Sequence, residues 1–531
     1  MALFLSIFPI VLLIYLMVKR NALPSYVALP WIAVVVLIIQ LIYFGTDIQT
    51  VSANIASALI AVQTPITVIF GAVLFNRFSE VSGATDVLRK WLSNINPNPV
   101  AQLMIIGWAF AFMIEGASGF GTPAAIAAPI LVGIGFHPLK VAMLALVMNS
   151  VPVSFGAVGT PTWFGMGTLQ LGEEQILEIG SITAFIHSIA AFIIPVMALR
   201  LIVSWSEIRK NIVFIYISIF ACVIPYFLIA QLNYEFPSLV GGAIGMVISV
   251  LVANKGIGLA KVDNTVDSNA VTTAQVVKAL FPTGLLIAIL IVTRIKQLPL
   301  KAMMNDATSW FSVKLGSLGV FDISHGLIFS LKEIFGTTIS SNYKLLYVPA
   351  LIPFVITVLI AIPVFAVSAK NTKEIFATSL KQTKNPFFAL VGALIMVNLM
   401  LVGGDGSMVK IIGQSFAQAT GEYWTIFASY LGAVGAFFSG SNTVSNLTFG
   451  SVQLSTAMET GLSVSLILAA QSVGGAMGNM VCINNIVAVC SVLNINNKEG
   501  EIIKRTVMPM FVYGVITALS ALFIVPLFYN V

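Results

Sequence analysis

Residues 115–123 read Glu115-Gly116-Ala117-Ser118-Gly119-Phe120-Gly121-Thr122-Pro123. This stretch ends one apolar run, 100–114, and precedes another, 123–136. Each run is short for a bilayer core of about 30 Å at about 1.5 Å per residue. The spacing therefore predicts the two arms of one re-entrant hairpin, 100–136, with the quoted residues at its tip. Gly- and Pro-rich backbone survives at membrane depth only where protein buries it or where it lines a cavity.

The composition agrees with a membrane setting. Hydrophobic residues make up 58% of the 531 and charged residues 9%, against about 25% charged in soluble domains. A secreted enzyme, a nucleic-acid binder and a disordered scaffold are excluded. The net charge of +6 resides in loops between apolar runs and signals no nucleic acid. Cys222, Cys482 and Cys490 all lie in apolar segments and read as packing residues. The first apolar run, 1–18, has no basic residue ahead of it and Lys19-Arg20 behind it. That order predicts a first span with its N-terminus outside rather than a cleaved signal.

Counting the remaining runs gives an all-α polytopic protein with about 12 transmembrane helices and two re-entrant hairpins. The second hairpin, 422–458, has arms near 422–438 and 446–458. With this count most Lys and Arg residues fall in cytoplasmic loops, Lys410 is the exception among short outer loops, and both termini lie outside. An odd number of crossings separates the hairpins, so they enter from opposite faces. That is the layout of an inverted repeat, with halves 55–253 and 279–531 joined by a polar cytoplasmic linker, 254–278, within one transporter domain.

The repeat is also visible in the residues. Ser118-Gly119-x-x-Thr122 recurs as Ser439-Gly440-x-x-Thr443, and Ser150-Val151 recurs as Ser472-Val473, with the spacing changed by one residue. Paired breaks in two halves point to a transporter's binding site. Broken helices present backbone N–H groups that favour an anion, and Ser, Thr and Asn add directional donors. The runs Gly156-Ala157-Val158-Gly159-Thr160-Pro161 and Gly474-Gly475-Ala476-Met477-Gly478-Asn479 are expected to unwind the helices facing the tips. The result would be a small, neutral, donor-rich pocket suited to a monocarboxylate.

Other polar residues read differently. Gly241 and Gly245 suit close helix packing. His187 reads as a hydrogen-bonded structural residue, and Asp405 as a surface acid. Glu115 ends an otherwise uncharged arm, and an ionisable group at that depth marks a proton or ion path by default. Its bland reading is a brace for the tip. No metal-ligand cluster, cofactor motif, nucleotide-binding loop or nucleophile–base pair appears, which argues against an enzyme and against an ATP-driven pump.

The runs 115–129 and 149–161, with Phe437-Phe438-Ser439-Gly440-Ser441-Asn442-Thr443-Val444-Ser445-Asn446-Leu447-Thr448-Phe449-Gly450, strongly resemble the bacterial L-lactate permease family over almost the whole chain. The resemblance implies a multi-pass protein of the bacterial cell membrane that imports L-lactate, and also D-lactate or glycolate, by proton symport. The Ser441-Asn442-Thr443 tip is also similar to that of dicarboxylate/sodium symporters, which implies an elevator mechanism and offers sodium coupling as the alternative. The implied substrate site comprises Ser118, Gly119, Phe120, Gly121, Thr122, Asn149, Ser150, Ser441, Asn442, Thr443 and Asn479. Phe120 would pack on the C2 substituent and Glu115 would couple the proton. Partners are lactate, protons and the lipid bilayer; a homodimer, the lactate enantiomer and the stoichiometry are left open.

Overall fold

The computed structural model describes residues 1–19, 23–119, 121–262, 271–294, 298–348, 351–495 and 498–531. Phe120 and residues 263–270 of the linker lie outside the described residues. Among those described, nine helices are long and apolar enough to cross a membrane, or up to eleven if each of two bent pairs is one span. The shorter helices Ala2–Met17 and Leu351–Val364 are apolar as well. Helix is the element that satisfies every backbone group within one segment, which lipid demands.

The chain divides into two compact units. The first comprises Met1–Ser82 and Leu280–Gln418. Its long helix Ala369–Leu401 lies against Ser25–Ile42, so closely at Gly392 that a Cβ there would meet Pro30 N at 2.3 Å. Gln40 Nε2 donates to the Leu399 carbonyl at 2.7 Å in the same contact.

The all-α expectation needs correction here. Within the stretch between membrane helices, β1 (Ser309–Lys314), β2 (Val320–Ser324), β3 (Ile328–Lys332) and β4 (Ser341–Lys344) form an antiparallel sheet in the order β1-β2-β3-β4. Val320-Phe321-Asp322-Ile323 and Ile328-Phe329-Ser330-Leu331 carry the β-branched and aromatic residues that favour strands. Leu331 and Ile334 cluster with Ala53 of helix Ile48–Ala61, and Ser341 Oγ donates to the Ser57 carbonyl at 3.1 Å.

The second unit comprises Gly83–Ala279 and Ala419–Val531 and holds both hairpins. The first hairpin's leading arm is longer than the sequence suggested: Pro99–Ser118 is one 20-residue helical stretch. Its window is wholly buried. Asn98 caps it by accepting from Val100 N at 2.9 Å, and Pro99 at the first position needs no donor. Glu115 consequently sits inside the last turn rather than beyond it. After the tip, Thr122–Ile134 returns. The following pair Pro138–Met148 and Val153–Leu169 bends by 64°.

The second hairpin repeats the order. Trp424–Ser439 leads in, Asn442–Thr460 returns, and Val464–Gly478 is followed by a break and Ile483–Val492. Gly474 to Gly478 do not unwind their helix, contrary to expectation; the break comes after them, at 479–482. These glycines serve close packing instead. A Cβ on Gly474 would lie 1.9 Å from the Ser429 carbonyl oxygen, and one on Gly478 2.4 Å from that of Ala433. Gly241 and Gly245 likewise pack tightly, on Tyr226 and Cys222. All three cysteines are free and buried.

Candidate functional site

Both hairpin tips are built on backbone that needs glycine. Gly119 ends the first arm at φ +55°, ψ −151°, a region essentially closed to other residues, and Gly121 follows at φ +79°. In the second tip Gly440 takes φ +73°. Ser441 then caps Asn442–Thr460, its Oγ accepting from Val444 N at 3.3 Å.

The helix facing the first tip is broken by three consecutive left-handed residues, Ala157, Val158 and Gly159, at φ +43°, +55° and +72°. For Ala and for β-branched Val this costs about 1–3 kcal/mol each. The turn is held by side chains from the same segment. Thr160 Oγ1 donates to the Ala157 carbonyl at 2.5 Å and Trp163 Nε1 to that of Val158 at 3.0 Å. Such strain concentrates at functional sites.

A small, partly open cavity lies between these parts of the second unit. From the residues singled out in the sequence, Glu115, Gly119, Gly121, Asn149, Ser441, Asn442, Thr443 and Asn479 line it together. Ser118, Thr122 and Ser150 are not among the lining residues. Ser118 Oγ donates to the Ile114 carbonyl at 3.0 Å and Ser150 Oγ to that of Val147 at 2.7 Å, so both hydroxyls serve their own helices. The remaining lining residues are Val153, Gly156, Ala157, Pro161, Gly440 and Asn485. Asn485 was missed in the sequence, although two adjacent asparagines in an apolar run were a signal. Its Nδ2 donates to Asn479 Oδ1 at 2.9 Å.

Two polar anchors fix the cavity wall. Asn149 Nδ2 donates to Glu115 Oε2 at 3.0 Å, and Glu115 is 3% exposed. A Cβ on Gly156 would stand 2.2 Å from Glu115 Oε1, so the glycine makes room for the carboxyl. On the other side Asn442 Nδ2 donates to Ser154 Oγ at 3.2 Å and to the Ser472 carbonyl at 3.0 Å. A carbonyl only accepts, so the orientation of the Asn442 amide is settled by chemistry. Ser154 Oγ also lies 2.8 Å from His187 Nε2, and His187 Nδ1 hydrogen-bonds the Tyr513 hydroxyl. His187 is therefore held as a buried structural residue.

Further buried amides tie the second hairpin to its neighbours. Asn446 Nδ2 donates to the Pro161 carbonyl at 3.0 Å, and Gln471 Nε2 to Ser445 Oγ at 3.0 Å. Among the described residues no group of three or more His, Cys, Asp or Glu could hold a metal ion, and the cavity lining contains no cationic side chain. What the lining offers is backbone N–H groups at glycine-rich tips, amides, hydroxyls and one carboxyl.

Membrane-length helices in this number, with two hairpins converging on a small polar cavity, are the marks of a multi-pass membrane transport protein. The chain belongs to the L-lactate permease family, which it matches over residues 2–528. It is 77% identical over 526 residues to a Haemophilus influenzae relative whose name carries the words L-lactate permease, covering 99% of both chains. It is 25% identical to an L-lactate permease of Salmonella typhimurium, over 97% of this chain and 94% of that one. A glycolate permease of Escherichia coli is 24% identical, over 86% and 84%. Family members are transporters rather than enzymes.

Proposed function

We propose that the protein imports L-lactate, and with it D-lactate and glycolate, across the bacterial cell membrane by proton symport. The observation that supports this reading is the charge inventory of the cavity: among the described residues that line it, Glu115 is the one titratable side chain. A monoanion entering beside an ionised Glu115 meets a like charge at low dielectric, which costs several kcal/mol. One proton taken up with one lactate removes that cost, so anion and proton bind together. The tips then hold the carboxylate through Gly119, Gly121, Ser441 and Thr443, with Asn149 and Asn479 opposite, while Asn442 fixes the second tip through its bonds to Ser154 and Ser472. Phe120 retains its proposed role against the C2 substituent.

In this reading the unit carrying both hairpins moves as an elevator against the other, the two halves of the chain are inverted repeats, and both termini face outward. The test is uptake of labelled L-lactate into proteoliposomes under an inward proton gradient without sodium. Wild type should accumulate lactate and lose it on adding a protonophore, while Glu115→Gln should keep lactate exchange and lose accumulation. Uptake only on adding sodium would replace proton by sodium coupling and reduce Glu115 to a brace.

A further inference from the structure

We infer that Asn149 carries the protonation state of Glu115 to the substrate by inverting its side-chain amide; the inference rests on the symport reading above. Asn149 Nδ2 donates to Glu115 Oε2, while Asn149 Oδ1 is buried with no hydrogen-bond partner among the described residues. Both residues line the cavity. An ionised carboxylate only accepts, so it holds the amide nitrogen toward itself. The oxygen is then the amide end left for a ligand, and it repels a carboxylate. A protonated Glu115 donates instead, and its partner becomes Oδ1 after half a turn about the terminal amide torsion. That torsion is soft and roughly two-fold, so no backbone need move. The turn leaves Nδ2, with two N–H donors, for the anion. The proton comes from the medium onto Glu115 Oε2 and leaves from there, and no other bond changes.

The surroundings keep this exchange local. The segments packed most closely on Ala111–Ser118 are 103–110, 122–134, 153–155, 156–163 and 237–254. None of them contains Asp, Glu, Lys, Arg, His, Cys or Tyr. On the helix leading to Asn149 the one charged residue is Lys140, at its far end. The elements packed on that helix add Arg200, Cys490, Glu499, Glu501, Lys504, Arg505 and Tyr513, none of which lines the cavity; Tyr513 is bonded to His187, and Tyr226, whose ring rests on Phe112, donates to the Val151 carbonyl.

The test is the lactate dissociation constant of the reconstituted full chain, measured without sodium between about pH 5 and 8, with the protonated-carboxyl infrared band recorded in parallel. In wild type, affinity should tighten by up to tenfold per unit fall in pH across the range in which Glu115 titrates, the slope of one linked proton. Asn149→Leu keeps the bulk and removes the amide. It should still show the carboxyl band titrating, but with a total change in affinity over the range at least about threefold smaller than in wild type, the remainder being the direct repulsion between lactate and ionised Glu115, and Asn149→Gln should restore part of the difference. A total change in Asn149→Leu equal to that of wild type would mean that charge repulsion alone couples the proton, and would overturn this inference alone. A flat wild-type profile would overturn the symport reading with it. Should Asn149→Leu fail to fold, wild type labelled with carbon-13 in the asparagine side-chain carbonyl decides. An amide band that shifts with Glu115 titration and stays fixed in Glu115→Gln supports the inversion, and an unmoved band refutes it.

Discussion

Gly475→Ala sets local propensity against tertiary geometry. Gly475 is interior to the helix Val464–Gly478, where alanine is favoured over glycine by about 0.8–1.0 kcal/mol. Its added Cβ would stand 1.9 Å from Asn442 Oδ1. Ordinary van der Waals contact begins near 3.4 Å, so the amide must retreat by about 1.5 Å, the difference of the two. That displacement takes the Asn442 bonds to Ser154 Oγ and the Ser472 carbonyl, 3.2 and 3.0 Å long, out of hydrogen-bonding range. Two buried bonds at about 0.5–1.5 kcal/mol each, with a polar group left unsatisfied at about 1–3 kcal/mol, outweigh the helix gain. The net expectation is a loss of stability of about 1–5 kcal/mol, together with lowered lactate uptake, because the displaced Asn442 lines the cavity. Thermal unfolding in detergent and initial uptake rates measure both. Gly284→Ala is the control: it is helical with nothing within 4 Å of the new Cβ, and should be neutral or slightly stabilising. Unfolding at or above the wild-type temperature together with unchanged uptake in Gly475→Ala would refute the reasoning.

Two further outcomes follow from single residues. Ser154→Ala leaves His187 Nε2 without the hydroxyl recorded beside it and removes one of the two acceptors of Asn442 Nδ2. It should lower stability by about 1–3 kcal/mol in a denaturation series, whereas Ser154→Thr should recover part of the loss. Asp47 caps Ile48–Ala61 by accepting from Thr50 N at 2.8 Å, and its hydrogen bonds with Thr50 hold its carboxyl below the ordinary range. A lowered folded pKa means that this contribution is complete above the unfolded value and is lost as pH falls through the folded one. Asp47→Asn should therefore flatten the acid limb of stability against pH, readable by thermal unfolding at successive acidic pH values, by lowering the neutral plateau toward the level that the wild type reaches in acid.

Much of the architecture was legible in the chain because lipid leaves it few options. Apolar length decided where helices could run, and the Gly-Pro-Ser break at 118–123 and the Ser-Gly-Asn break at 439–443 decided where they had to stop. The paired spacing of those breaks marks both tips in the chain itself. The segment 309–344 was harder, since a short meander outside the bilayer gives a weak alternating pattern, and its docking on Ala53 is a contact distant in sequence.

What the sequence by itself determined, then, was which residues could sit at the tips: glycine where φ is positive, as at Gly119, Gly121 and Gly440, and hydroxyls and amides where backbone is broken. Only the tertiary structure decided which of them share a cavity. Ser118 and Ser150 satisfy their own helices because a serine hydroxyl finds a carbonyl one turn back more readily than a distant partner. Asn149 and Asn442, whose longer amides reach across to Glu115 and to Ser154 and Ser472, became the cavity's anchors. The same division holds for glycine. Composition marked 474–478 as a place where a helix could break, and the close approach of Trp424–Ser439 turned it into a packing face.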